Sequence, residues 1–504
     1  MSETRKDTKK IAVIGAGIAG LTAGIYGELS GYDVHLYEQH SIAGGECTGW
    51  NRQGYYIDNC AHWMMGSKPG TDLHQIWLQT GALGPQTKMH REEKMYTSRL
   101  GNQEAALWAD IDRTERELIA LSPEDEKQIR RLLKYCRLAE NIEIPAKVPS
   151  ELMKPMEGLK LLAKTGPLLK IQKEYKGQNI EDLANRFKHP LIRALISDFT
   201  PLDTSASSFA MAYGNFVSGD GGIPAGGSRA MAQRMKERFE MLGGKLFTGI
   251  RIIRLVPAGG KVSGIETEDG QFIEYDYIIP ACDASVTFGT LLPESFMSSL
   301  MKEMFENRKA YPVYNTFQCA FAVDLAEDPL DGEVMLDTPE LVFQPGFGDR
   351  LTVKSYSYEP DFAPPGRQII QTLQGGSEIL WPFWQELGKN PEKYRETKKK
   401  WALQTQQTLE ERFPVLKGRL TLLDVWTPLT YNRYCSAYKG FYQSCMISKD
   451  SAAIPYPPAL VQGLDNVVLA GQWISPPGGL PGSAITGKQA VQRILNKDGK
   501  DFHL

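Results

Sequence analysis

Between Ile11 and Glu38 lie residues whose types and spacing suit one task, the holding of a dinucleotide. Gly15-Ala16-Gly17-Ile18-Ala19-Gly20 is a complete G-x-G-x-x-G. In such a loop the first glycine permits a tight turn. The second lets backbone approach a pyrophosphate, and the third lets a helix lie close against a strand. Glu38 stands about twenty residues beyond the glycines, where an acidic side chain accepts ribose hydroxyls. A 2′-phosphate there would meet a second negative charge, so the reading is NAD or FAD and not NADP.

The elements that must position these residues follow in order. Ile11–Ile14 is a short apolar run suited to a buried parallel strand. The spacing predicts a helix over Leu21–Ser30, ended by Gly31, whose N-terminal N–H groups face the phosphates. Val34–Tyr37 reads as a second strand that delivers Glu38.

A chain of 504 residues can build two or more domains with sizeable cores. Its net charge of -3 leaves no electrostatic case for nucleic acid. Apolar residues make up 42% and mean hydropathy is -0.33, with no apolar run long enough to span a bilayer. The opening MSETRKDTKK has no apolar segment, so no signal peptide is expected. The seven cysteines are scattered, odd in number and form no C-x-x-C. That pattern predicts reduced thiols in a cytoplasm. It argues against a disulfide framework, a zinc site or a dithiol redox centre.

Three separated stretches read as one nucleotide domain: residues 1–66, 215–285 and 456–504. The second has a Gly-rich loop, a helix from about Ser228 to Leu242 with Met231, Met235 and Phe239 on one face, and a β-meander beyond it. The third has an apolar strand at Val467–Ala470 and a helix from about Ser483. Two insertions, 67–214 and 286–455, form the expected substrate domain. The first is read as mostly helical, with Ser122 as an N-cap before Pro123. The second mixes strands (NTFQCAFAVDL, RQIIQTLQG) with a helix around Tyr394–Arg412. It is rich in aromatics, among them Tyr356, Tyr358, Phe362, Trp381, Phe383, Trp384, Trp426, Tyr431, Tyr434 and Tyr438.

There is one G-x-G-x-x-G, and GGIPAGG follows a polar stretch, so no second Rossmann domain is expected. A nucleotide domain assembled from both ends of the chain suits the long FAD molecule. Here the chain resembles the phytoene desaturase, carotenoid isomerase and retinol saturase family of flavoproteins, within the wider group that includes amine oxidases. The resemblance rests on YEQHSIAGGECTGWNRQGYYIDNCAHWMMG, PAGGSRAMAQRM, PDFAPPGRQIIQTL, WTPLTYNRYCSAYKGFYQS and, most specifically, AGQWISPPGGLPGSAITGKQA. It implies an α/β fold: a Rossmann-like FAD domain in three segments, with a discontinuous α+β substrate domain.

The resemblance also implies roles. Gly44 and Gly45 would let backbone approach the pyrophosphate and ribityl chain. Ile252 would offer its main chain to the adenine. Gly471 would close over the pyrophosphate. Gly479, Gly482, Ser483 and Ala484 would place N–H groups near the flavin N1 and O2 edge, where reduced flavin carries negative charge. Many relatives carry Arg after the Gly-Gly pair. Here it is Glu46, expected to point away from the pyrophosphate.

The implied activity is FAD-dependent oxidation or reduction of carbon–carbon bonds in a lipophilic, isoprenoid or polyene substrate, with NADH or NADPH a candidate electron donor. An amine oxidase and a redox-neutral isomerase using reduced flavin are the alternatives. His62 is the candidate acid or base. Asp58 and Asp283 read as loop-fixing residues, and Arg433 and Tyr434 either reach the cavity or brace a loop. Residues 151–176 alternate apolar side chains with six lysines. Leu152, Met156, Leu159 and Ala163 fall on one helical face, flanked by Lys160 and Lys164. This is either a peripheral membrane contact or a solvated cap helix.

Overall fold

The computed structural model describes residues 8–60, 63–164, 166–452 and 455–502, with side chains at 160 and 162–164 outside that description. His62 therefore lies outside the described residues, as do the side chains of Lys160, Ala163 and Lys164.

A four-stranded parallel sheet carries the glycine loop. Lys10–Ile14 pairs with Tyr277–Pro280 on one side and Asp33–Glu38 on the other, and Asp33–Glu38 pairs in turn with Lys245–Thr248. Ile11, Ala12 and Val13 are completely buried, as both faces of the sheet are covered. The helix runs over Ile18–Leu29, three residues earlier than the pattern predicts, because Gly17 already opens it. A Cβ at Gly20 would lie 1.9 Å from the Gly15 carbonyl oxygen, so helix and strand meet at backbone distance. On the other side this helix crosses Gly479–Lys497, where a Cβ at Gly487 would lie 2.3 Å from the Ala19 oxygen.

The expected meander is present as Ile252–Ala258, Lys261–Thr267 and Phe272–Glu274, preceded by the helix Gly227–Met241. Val467–Ala470 does not form a full strand. It lies along Tyr277–Pro280 through Val468 N–H to Ile278 O at 3.0 Å and Ala470 N–H to Pro280 O at 3.0 Å. The C-terminal helix begins at Gly479, not Ser483.

The second large sheet is mixed and seven-stranded. Its order is Leu420–Trp426, Tyr314–Val323, Gln368–Ser377, Phe347–Ser355, Glu333–Asp337, Lys94–Leu100 and Gln103–Trp108. The last two strands come from the insertion read as mostly helical, and join the sheet through a parallel pairing of Val334 with Thr97. Ser122 stands at the N-cap position of the short turn Pro123–Asp125, as read, with no capping bond from its side chain to an amide. It ends the helix Ile111–Leu121, and its hydroxyl donates to Asp125 at 2.9 Å. The Asp125 carboxylate also accepts the Lys188 and His189 amides, which fixes this corner of the fold. Among the described residues no helix is long and apolar enough to cross a membrane.

Candidate active site

The glycine loop and the strand end after it form one hydrogen-bonded unit. Glu38 is buried, and its carboxylate accepts the Ala16 amide at 2.9 Å and the His40 amide at 3.0 Å. Each oxygen keeps a lone pair for a further donor. Gly44 pairs with Gly17, and its amide donates to the Ala16 oxygen at 2.8 Å. Gly44 and Gly45 have φ of 126° and 59°, which side chains rarely adopt. A Cβ at Gly45 would sit 3.2 Å from the Gly17 Cα, filling the cradle between the two loops.

These loops open on a cavity of about 2170 Å³. Gly15, Gly17, Ile18, Ala19 and Glu38 line it, as do Gly44, Gly45 and Ile252. From the chain's far end Gly471, Gly479, Gly482 and Ser483 line it too. Thr486 ties this end together, its hydroxyl accepting the Gly471 amide at 2.9 Å. Gly20 and Ala484 stand behind the wall, buried in the packing of the two helices.

Glu46 lines the cavity and is partly buried. Burial pushes its carboxyl well above the usual range, and Cys60 and Asp283 push the same way. Asp283 also lines the cavity, and burial raises its carboxyl as well. It accepts the Ser285 amide at 2.8 Å, the Trp473 indole at 2.9 Å and the Tyr438 amide at 3.2 Å, so it braces three segments. Asp58 braces the hairpin by accepting the Ser228 amide and hydroxyl, both at 2.6 Å. Tyr434 reaches the cavity; Arg433 lies over its ring, 4.6 Å from the centroid.

Comparison with known proteins decides what the cavity holds. The model of the flavin containing amine oxidoreductase family matches residues 18–495. The chain belongs to the flavin containing amine oxidoreductases. It is similar to a phytoene desaturase (lycopene-forming) from Paracoccus sp. (strain N81106 / MBIC 01143), 24% identical with 97% of each chain covered. It is also similar to a 4,4'-diaponeurosporene oxygenase from Staphylococcus aureus (strain USA300), 22% identical over 98% of this chain and 99% of the other. Its fold matches an oxidoreductase from Methanosarcina mazei at TM-score 0.60 and 19% identity, over 96% of this chain and all of that one. The cyclohexylamine oxidase of Brevibacterium oxydans IH-35A matches at TM-score 0.59 and 13% identity, over 98% and 100% of the two chains.

As a member of that family the protein is an FAD-dependent oxidoreductase, and the residues present fit the cofactor. Glu38 has acceptor capacity for ribose hydroxyls. The Gly17–Gly45 cradle leaves room where any side chain would intrude. The N-terminus of a long helix, Gly479–Lys497, opens into the same space.

Sequence reasoning missed the polar lining contributed by the second sheet. Arg350 and Asp198 both line the cavity and form a two-pronged ion pair at 2.6 and 2.7 Å. Lys354, buried at the end of Phe347–Ser355, lines it as well, and desolvation lowers its ammonium below the ordinary value. No local pattern marks these residues, because they meet only when the two insertions share one sheet. Most of the aromatics singled out by composition are core. Trp384 packs among Phe317, Phe347 and Trp401, and Trp426 and Tyr431 are buried near Trp50. Among the described residues no cluster of side chains could hold a metal ion.

Proposed function

We propose that this flavoenzyme transfers hydride to or from carbon–carbon bonds of a long lipophilic substrate of isoprenoid or polyene type. The observation that carries the reading is the extent of one cavity. Its wall includes Gly15 and Gly17 of the nucleotide loop and also Leu168 and Leu169 of a surface helix pair. That pair, Pro155–Lys164 and Gly166–Glu174, leaves Met156, Leu159 and Leu169 between 56% and 63% exposed. Leu152 precedes the first helix, in a separate turn. Exposed lysines 154, 170, 173 and 176 surround the apolar surface. A lipophilic substrate held in an anionic membrane could enter there without crossing water. Two charged groups in the wall are ion-paired, Arg350 with Asp198 and Lys94 with Asp331. An apolar chain passing them meets no unpaired ion from these pairs. The full-length likeness to a phytoene desaturase and a diaponeurosporene oxygenase supports the same substrate class.

Bound flavin supplies hydride exchange at its ring system. The chain's own contribution is to hold the nucleotide at Glu38 and the glycine loops, to exclude water, and to place the substrate. Where the reduced state is needed, NADH or NADPH would act as donor at the open cavity. The test uses FAD-loaded protein without oxygen, mixed with polyene lipid in liposomes. Flavin bleaching matched by a longer polyene chromophore supports desaturation. Bleaching by NADH or NADPH followed by polyene conversion supports saturation or isomerisation. Peroxide release with simple amines in air, and no response to any polyene, would overturn the proposal.

A further inference from the structure

The hairpin that follows Gly44-Gly45 brings two cysteines face to face. Gly49–Arg52 pairs antiparallel with Tyr55–Asp58, Gly49 lying opposite Asp58. The pairing continues one step further through the Asn59 amide to the Thr48 oxygen at 3.0 Å. The next opposed pair is Cys47 and Cys60. The Thr48 amide turns back to the Glu46 oxygen at 2.9 Å, so the ladder ends there, and Cys47 and Cys60 lie one position beyond its end on the two arms of the hairpin. Opposed positions of an antiparallel hairpin lie within the window of about 4.4–6.8 Å between Cα atoms that a disulfide spans. The Cys47 thiol is the neighbour that most strongly raises the Cys60 thiol. Cys47 also donates to the Ser228 oxygen at 3.3 Å. Both are free thiols here, and both line the cavity. No C-x-x-C spacing announces the pair, because the register of the hairpin makes it.

We propose that Cys47 and Cys60 form a reversible dithiol–disulfide couple in the wall of the cofactor cavity, oxidised by a low-molecular-weight disulfide. Cys60 is the more accessible of the two, since Cys47 is only 1% exposed. The Cys60 thiolate attacks one sulfur of the small disulfide and expels a thiolate. Cys47, as thiolate, then attacks the Cys60 sulfur of the mixed disulfide. The Cys47–Cys60 bond forms and the second small thiolate leaves. Two protons pass from the protein thiols to the two leaving thiolates. The protein loses two electrons and the small disulfide gains them. Contact with Cys47 and burial together hold the Cys60 thiol well above its ordinary value, so exchange accelerates as pH rises. The couple does not depend on the substrate proposed above. Its linked form fastens the base of the hairpin directly beneath the Gly44–Gly45 turn that cradles the nucleotide.

The test takes FAD-loaded full-length protein through a series of oxidised-to-reduced glutathione ratios at pH 8. The samples are quenched in acid, alkylated in denaturant and weighed intact. Under reducing conditions all seven cysteines take label. Under oxidising conditions label falls by two equivalents, and digestion gives one linked peptide containing Cys47 and Cys60. In Cys47→Ser the resolving thiol is gone, and Cys60 instead accumulates a glutathione adduct. Retention of full label in the wild type at the most oxidising ratio would overturn the proposal. So would a stable glutathione adduct on wild-type Cys60, or a link to any other cysteine. The wild-type measurement decides the matter even if the variant fails to fold.

Discussion

Glu38 and Ala16 are joined by a 2.9 Å hydrogen bond from amide to carboxylate, which couples the end of the second strand to the middle of the glycine loop. The acid thus does two things. It shapes the glycine loop, and it keeps acceptor capacity of the kind ribose hydroxyls would use. Glu38→Gln keeps the size but replaces one acceptor oxygen by a donor. A hydrogen bond to a charged group is worth about 1.5–3 kcal/mol, so FAD affinity should fall roughly 10- to 100-fold. Titration of apoprotein with FAD, followed by flavin fluorescence, measures this. Unchanged affinity would remove Glu38 from the cofactor site.

Glu46 should write a pH signature into stability. Its folded-state carboxyl sits well above the ordinary value of 4.5, so the folded protein keeps a proton that the unfolded chain releases. The associated stability is fully present below 4.5 and is lost as pH rises toward the folded value. Glu46→Gln cannot ionise and lacks this slope. Thermal midpoints of the two proteins should lie close together near pH 4.5 and diverge upward in pH, the variant becoming the more stable. A constant difference across the range would show that Glu46 is already ionised in the folded state.

What the sequence made legible was local. Strand, glycines, helix and Glu38 are contiguous, and each is dictated by its neighbours within a few residues. The meander was readable for the same reason, from turns at Gly259-Gly260 and Asp269-Gly270. The position of Cys60 opposite Cys47 was also within reach. The two-residue turn Gln53-Gly54, with φ of 51° and 86°, sets the register from which the pair follows. Composition by itself does not place side chains. The aromatic richness of the second insertion cannot say which rings line a site, and Trp384, Trp426 and Tyr431 are spent on cores. Arg350 and Asp198 lie 152 residues apart, and only the seven-stranded sheet brings them together.

That ion pair should be costly to break. The Asp198 side chain is fully buried. It accepts both prongs of Arg350 and a bond from the Ser98 hydroxyl, while Arg350 also reaches the Arg99 oxygen at 3.1 Å. Asp198→Asn leaves the guanidinium with only the more distant Asp337 carboxylate, 3.9 Å away, as a counterion. Losing one partner of such a pair costs about 3–5 kcal/mol. The melting midpoint should drop by several degrees, and replacing both residues by apolar ones should recover part of the loss. Differential scanning calorimetry of the single and double variants tests this. An unchanged midpoint in Asp198→Asn would mean that solvent already screens the pair.

The surface helix pair makes the last prediction, and its two kinds of residue should separate in one experiment. Met156, Leu159 and Leu169 are large, apolar and exposed, and the exposed lysines around them would meet anionic lipid. Apolar insertion is insensitive to salt, whereas each lysine near an anionic surface contributes about 1 kcal/mol that salt screens away. Co-sedimentation with vesicles rich in phosphatidylserine should therefore fall as salt rises for the wild type. Replacing lysines 170, 173 and 176 by Gln should weaken pelleting at low salt and flatten the salt dependence. Replacing the three apolar residues by Ser should abolish pelleting at moderate salt while leaving FAD binding intact, since none of them touches the nucleotide loops. If the wild type stays in the supernatant at low salt, the helix pair is a cap facing water. The lipophilic substrate would then have to arrive by another route.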